Sequence, residues 1–193
     1  MLGTLPHRTR FLSTDEIDLT ARGLTEEARA KGAKSILVGG AAMIAYGSPR
    51  QTTDVDFVAT RPIRRGVPIA PTRGVVIGRS FVENGVTVDW LVRSSTDDYA
   101  RLHAESIRTA TWHPDLGYSI VRADYLLALK LIADRPTDRE DIIWLLRQPT
   151  LINRGMTWRM LRRILGMFAA QRFDYFANVA DWRTSTGRAG EDP

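Results

Sequence analysis

Along "STDEIDLTARGLTEEARAKG", residues 13–32, apolar and polar positions interleave as they do on one face of a helix. The spacing predicts one or two amphipathic helical pieces, with Ser13 and Glu16 placed as a capping box and Gly32 as the stop. The pattern then tightens. "SILVGG" is a short apolar strand running into glycines, "AAMIAYG" a short helix, and "DVDFVAT" a second strand closed by Arg61 and Pro62. After a Pro/Gly/Arg loop, "GVVIGRSFVENGVTVDWLV" reads as strands around Asn84-Gly85, a dipeptide favoured in tight hairpin turns.

From Ser94 the period lengthens again. "STDDYARLHAESIRTA" is helical with polar caps, "YSIVR" a short extended piece, and "ADYLLALKLIADRPTDREDIIWLLRQ" two helices broken at Pro136. "TWRMLRRILGMFAAQRFDYFANVADW" is a third helical stretch, in which Trp158, Leu161 and Phe168, with Trp144 upstream, read as core rather than as a base-stacking platform. The expected organisation is an N-terminal helical segment (1–32), a small α/β core (33–95), a C-terminal helical lobe (96–180) and a flexible tail (181–193).

Composition narrows the chemistry. With no cysteine there is no disulfide framework, thiolate metal site or thiol nucleophile, and three scattered histidines leave little for a histidine metal site. The longest apolar run, "ILVGGAAMIAYG", falls well short of the roughly 20 residues of a spanning helix, so no membrane partner and a cytoplasmic location are expected. The net charge of +5 permits an anionic partner, and its placement is more informative: five arginines lie between Asp56 and Glu83, and five from Arg154 to Arg172, without an acid. These stretches, 61–79 and 154–172, read either as solvated faces or as a surface for triphosphate or an RNA backbone. "KGAKS" lacks the order of a phosphate loop, "HAE" at 103–105 has no cysteines to complete a deaminase site, and neither Gly-x-Ser-x-Gly nor His-Glu-x-x-His occurs.

The feature that carries chemistry is "DVDF". Alternation along a strand puts Asp54 and Asp56 on one face while Val55 and Phe57 pack on the other. Two carboxylates held so repel and lose solvation, a state that persists when a cation sits between them or one is protonated. Asp89, between Val88 and Trp90, is placed the same way in a later strand; if that strand lies beside the first, three carboxylates converge. Three hard oxygen ligands suit Mg²⁺ or Mn²⁺ rather than zinc. Upstream, Gly39 and Gly40 stand at a strand-to-helix junction, where the backbone can approach a ligand and free amides attract phosphate. A triphosphate between that helix start and two metal ions is a phosphoryl-transfer geometry.

The glycine pair, Asp54-Val55-Asp56-Phe57 and the later Asp89 resemble the signature of the DNA polymerase β-like nucleotidyltransferase superfamily. In its finer form, with Gly47, Arg50 and Thr52 before the aspartates, "GGAAMIAYGSPRQTTDVDF" is most similar to the abortive-infection-type nucleotidyltransferases of bacterial toxin–antitoxin systems. "LALKLIADRPTDREDIIWLL" resembles their lysine helix and arginine-aspartate segment through Lys130, Arg135, Asp138 and Asp141, and the likeness spans roughly 35–147. It implies an α+β fold: a nucleotidyltransferase core of small mixed sheet with flanking helices, followed by a C-terminal helical bundle.

The resemblance further implies that Asp54 and Asp56 hold two Mg²⁺ or Mn²⁺ ions, and that Asp89 binds the catalytic ion and helps deprotonate an acceptor hydroxyl. An NTP would give up its nucleoside monophosphate and release pyrophosphate. The implied acceptor is tRNA or another RNA, with an antitoxin protein as a possible partner. An antibiotic-type small molecule, a protein acceptor, or a non-catalytic nucleotide-binding antitoxin or regulatory module are the alternatives. Lys130 would reach the triphosphate or else snorkel to solvent. Arg50 contacts phosphate or ribose, or pairs with an acid that fixes its loop. Thr52 would support the metal ligands; Asp138 and Asp141 would orient Lys130 or Arg135, or serve as helix N-terminal carboxylates. Serine often occupies the second glycine position in this superfamily, and Gly40 departs from it.

Overall fold

The computed structural model describes residues 10–69, 76–93 and 97–186, and the chain divides into two compact units, Met1–Arg122 and Ala123–Pro193. In the first, a single helix α1 (Thr14–Ala30) opens on the predicted capping box: Ser13 Oγ accepts from the Glu16 amide while Glu16 Oε2 accepts from the Ser13 amide. Strand β1 (Ser35–Val38) runs straight into α2 (Gly39–Ala45), and β2 is Asp54–Ala59. β3 (Val67–Pro68) is a two-residue edge strand within the stretch that sequence treats as loop. β4 (Val76–Glu83) and β5 (Val86–Arg93) form a hairpin whose Asn84 and Gly85 both have positive φ, 50° and 76°, as a primed turn demands. Then come α3 (Asp98–Thr109), capped by Asp97, and a second hairpin, β6 (Thr111–His113) and β7 (Tyr118–Ile120).

These strands make one mixed sheet in the order β3-β4-β5-β2-β1-β7-β6. β2 runs parallel to β5 and β1 parallel to β7, while the remaining pairs are antiparallel. Helix α1 packs on β1, β2 and β7, and α3 on β1, β2 and β5. Leu24, Ile36, Leu37, Phe57 and Trp90 are among the large side chains fully buried in this unit. The α+β class is therefore the one observed, but the sheet runs on past residue 95, where the sequence closes the core. The β6–β7 hairpin joins it through the Leu37–Ile120 pairing, a long-range contact that local periodicity does not encode.

The second unit is helical: α4 (Ala123–Ala133), α5 (Pro136–Leu146), α6 (Arg154–Leu165) and α7 (Met167–Thr186). Pro136 starts α5 at the position where a missing N–H costs nothing. Gly166, at φ 86°, divides the last predicted stretch into α6 and α7. α7 continues into the segment expected as tail because buried Arg183 pairs with Glu140 of α5 at 2.9 Å; residues 187–193 lie outside the described residues. Leu161 is core as expected, but Phe168 is 73% exposed, so its helical spacing does not bury it. No described helix is long and apolar enough to cross a membrane.

Candidate metal and phosphate site

The acidic side chains meet because two strands present them in step. Along β5, Val86, Val88, Trp90 and Val92 are buried while Thr87, Asp89, Leu91 and Arg93 turn to the other face. Along β2, Val55 and Phe57 are buried and Asp54 and Asp56 half-buried opposite them. The parallel register sets Asp56 directly across from Asp89, and Asp54 across from Thr87. One carboxylate oxygen from each of Asp54, Asp56 and Asp89 lies within 4.8 Å of the others. Behind them, Phe57 and Trp90 pack with ring centroids 5.0 Å apart, and the Trp90 indole donates to the Arg61 carbonyl at 3.0 Å. That apolar backing locks the two strands and so fixes the separation of the charges in front.

The glycines close the site from β1. Val38 is the register partner of Asp56, so Gly39 emerges beside the Asp56 side chain. Its φ is +64°, and a Cβ placed on it would lie 1.8 Å from Asp56 Oδ2, an approach that only glycine allows. At Gly40 a Cβ would meet Thr52 Oγ1 at 2.5 Å and the Arg50 guanidinium at 3.1 Å. A serine side chain at this position would enter space that Thr52 fills. The Thr52 hydroxyl, in turn, donates to Asp54 Oδ1 at 2.9 Å and so orients that carboxylate. Arg50 Nε donates to the Gln51 carbonyl at 3.3 Å, and its amide donates to Ser48 Oγ at 3.4 Å. α2 begins at an N-cap, Val38, whose apolar side chain offers no cap to its first amides.

The donor set fits a hard divalent cation. It comprises three carboxylates and no sulfur or imidazole, and three like charges this close call for a counter-ion. The structure thus brings Asp54, Asp56, Asp89, Gly39, Gly40, Arg50 and Thr52 to one place in the first unit.

Lys130, Arg135, Asp138 and Asp141 form a cluster of their own in the second unit. Lys130, 3% exposed on α4, sits 3.1 Å from Asp138 Oδ1 and 2.6 Å from Asp141 Oδ2 on α5. Asp138 also accepts from the Arg135 amide at 3.1 Å and from Arg135 Nε at 2.8 Å. Burial pushes the Asp138 carboxyl up, but the Arg135 hydrogen bonds and the Lys130 charge outweigh it and hold it below the ordinary carboxylate value. Lys130 therefore does not snorkel to solvent, and the two acids hold its ammonium between α4 and α5.

The arginine-rich stretches are only partly open. Arg64 bridges Glu27 of α1 and Glu83 of β4, Arg154 pairs with Asp181 at 2.8 Å, and Arg172 pairs with Asp134 at 2.6 Å. Arg61, Arg65, Arg159, Arg162 and Arg163 are exposed, and Arg73 lies outside the described residues. The histidine of the discounted "HAE" stretch is buried on α3. His103 is 6% exposed, and burial first, then the Arg93 charge, push its imidazole down to about 3. Arg93 itself lies over the Tyr99 ring, 4.6 Å from its centroid.

Fold and site together define an α+β protein with a three-carboxylate cluster on two central strands of a mixed sheet, beside a glycine-led helix start. No protein-family model matches the chain, and no curated protein matches it. Among solved structures the chain is similar to an antigenic nucleotidyltransferase-like protein from Paracoccidioides brasiliensis. The two are 19% identical with a TM-score of 0.46, over 72% of this chain and 78% of that one.

Proposed function

We propose that this chain is a divalent-metal-dependent nucleotidyltransferase, moving a nucleoside monophosphate from an NTP to an acceptor hydroxyl. The observation that carries this reading is the convergence of Asp54, Asp56 and Asp89 within 4.8 Å, directly beside a glycine-led helix start. Asp54 and Asp56 would hold two Mg²⁺ or Mn²⁺ ions, and Asp89 would share one of them. The ions would supply charge stabilisation at the reacting phosphate and an acidified acceptor hydroxyl.

The chain's own groups do the rest. The amides of Gly39 and Gly40 at the start of α2 bind the phosphate tail, and Arg50, lying against Gly40, adds a cation there. Thr52 holds Asp54 in orientation, and Asp89 takes the acceptor proton. The acceptor oxygen forms a bond to the α-phosphorus, the bond from that phosphorus to the bridging oxygen breaks, and pyrophosphate leaves.

For the acceptor we propose RNA, tRNA foremost, with a toxin–antitoxin setting as the corollary and an antitoxin protein as partner. The support is the exposure of Arg61, Arg65, Arg159, Arg162 and Arg163, which would meet phosphates. The test is incubation with each labelled NTP, Mg²⁺ and total tRNA. Labelled RNA is expected from the parent and none from Asp54→Ala; label on protein would instead mark a protein-modifying enzyme, and absence of NTP binding at millimolar Mg²⁺ would sink the reading.

A further inference from the structure

A cavity of about 450 Å³ opens in the first unit, lined by Thr25 and Arg29 of α1, Lys34 and Ser35 at the start of β1, and Trp112 and Ser119 of the β6–β7 hairpin. Ser35 opens the strand that Val38 closes beside Gly39, so cavity and carboxylates lie toward opposite ends of β1.

Its chemistry selects a ligand class. Arg29 and Lys34 bring two positive charges, and no acid lines the wall among the described residues. An anion is favoured there. Trp112, the cross-strand partner of Ser119, is 43% exposed, and the Arg29 guanidinium lies 5.5 Å from its ring centroid. An indole and a guanidinium so placed offer flat surfaces on which an aromatic ring stacks. Thr25 and Ser35 are 4% and 8% exposed, yet their hydroxyl oxygens have no hydrogen-bond partner among the described residues. Buried hydroxyls are normally paired, so these two mark polar groups in the wall that the surrounding chain leaves unsatisfied. Ile36 and Ile107 supply apolar surface beside them. The volume lies in the range of roughly 300–1,000 Å³ of small-molecule sites, which suits one mononucleotide rather than a strand of nucleic acid.

We propose that this cavity binds a free nucleoside monophosphate, at a site distinct from the carboxylate cluster. The base stacks at Trp112 and Arg29, and the phosphate meets Lys34. The proposal stands whether or not the chain transfers nucleotides.

Calorimetric titration of the full chain in EDTA with AMP, GMP, CMP and UMP tests it, since EDTA silences any metal-dependent nucleotide binding. At least one is expected to bind with Kd below about 1 mM. Lys34→Ala and Trp112→Ala, both at exposed positions, are each expected to weaken binding at least about tenfold while melting as the parent does. Asp54→Asn is expected to bind unchanged. No binding of any of the four up to about 5 mM overturns the proposal. So does ribose 5-phosphate binding as tightly as the nucleotides, a short oligoribonucleotide binding where monophosphates do not, or loss of binding in Asp54→Asn. Should Trp112→Ala fail to fold, Arg29→Ala and Lys34→Ala carry the same comparison.

Discussion

Gly39 and Asp56 contend for one volume: the position of a Cβ on Gly39 is 1.8 Å from Asp56 Oδ2. The strand that carries Asp56 therefore lies against the backbone turn that opens α2, and the carboxylate cluster and the helix start are parts of a single construction rather than neighbours by accident.

Gly39→Ala is expected to displace Asp56 and to strain a backbone at φ +64°. The strain costs about 1–3 kcal/mol, read by urea denaturation. A misplaced ligand lowers transfer about 100-fold, the scale of a roughly 1 Å displacement. An Ala variant with parental activity would dissociate the glycine from the site. Gly40→Ser is expected to act through Thr52 and Asp54 in the same assay, because its side chain enters space that Thr52 fills.

Divalent metal is expected to raise the thermal midpoint, by about 2.7 kcal/mol of stability once free ion exceeds its Kd a hundredfold. Asp56→Asn should show no such rise. In EDTA the same variant is expected to be at least as stable as the parent, since it removes one of three crowded like charges. A Mg²⁺ response equal in parent and variant would argue that the ion binds elsewhere.

Lys130→Met is expected to cost about 3–5 kcal/mol, because it leaves Asp138 and Asp141 buried without their shared cation. Equilibrium unfolding measures it. The depressed Asp138 carboxyl adds an acid signature: its stabilisation is complete above the ordinary carboxylate pKa of about 3.9 and drains away as pH falls toward its lower folded value. Asp138→Asn should remove that part of the acid dependence.

His103 titrates in the unfolded chain near pH 6.5 but only at about 3 in the folded one. Below pH 6.5 the unfolded chain takes up a proton that the folded chain refuses, so stability falls as pH drops from 6.5 toward 3. His103→Leu should flatten the stability profile over that window; an unchanged slope would show that His103 is accessible to protons.

If RNA is the acceptor, charge reversal at Arg159, Arg162 and Arg163 should weaken RNA binding and reduce the slope of log K against log salt by about 0.7–0.9 for each phosphate no longer neutralised. Reversal at Arg172, which is tied to Asp134, should act on stability instead. Equal effects on binding from both sets would remove the distinction between the exposed arginines of α6 and the half-buried one of α7.

Much of the site was legible because it is written in short-range patterns. Alternation placed Asp54 and Asp56 on one face and Asp89 likewise, the Asn84-Gly85 turn announced the hairpin carrying Asp89, and Ser13 with Glu16 announced the start of α1. Less legible were features that depend on what a residue meets. Phe168 has the helical spacing of a core residue and is exposed, since spacing defines a face without saying whether anything covers it. The sheet's extension to β6 and β7 rests on the long-range pairing of β7 with β1.

By itself, then, the sequence determined which residues share a face, where helices start and turns fall, and which side chains bring charge, because these follow from chain periodicity and local capping. Tertiary structure alone decided that β5 lies beside β2 in the register that sets Asp89 opposite Asp56, that Gly39 abuts Asp56, and that Thr25, Ser35 and Trp112 wall one cavity. Those are distances between segments remote in the chain, set by which surfaces bury against one another.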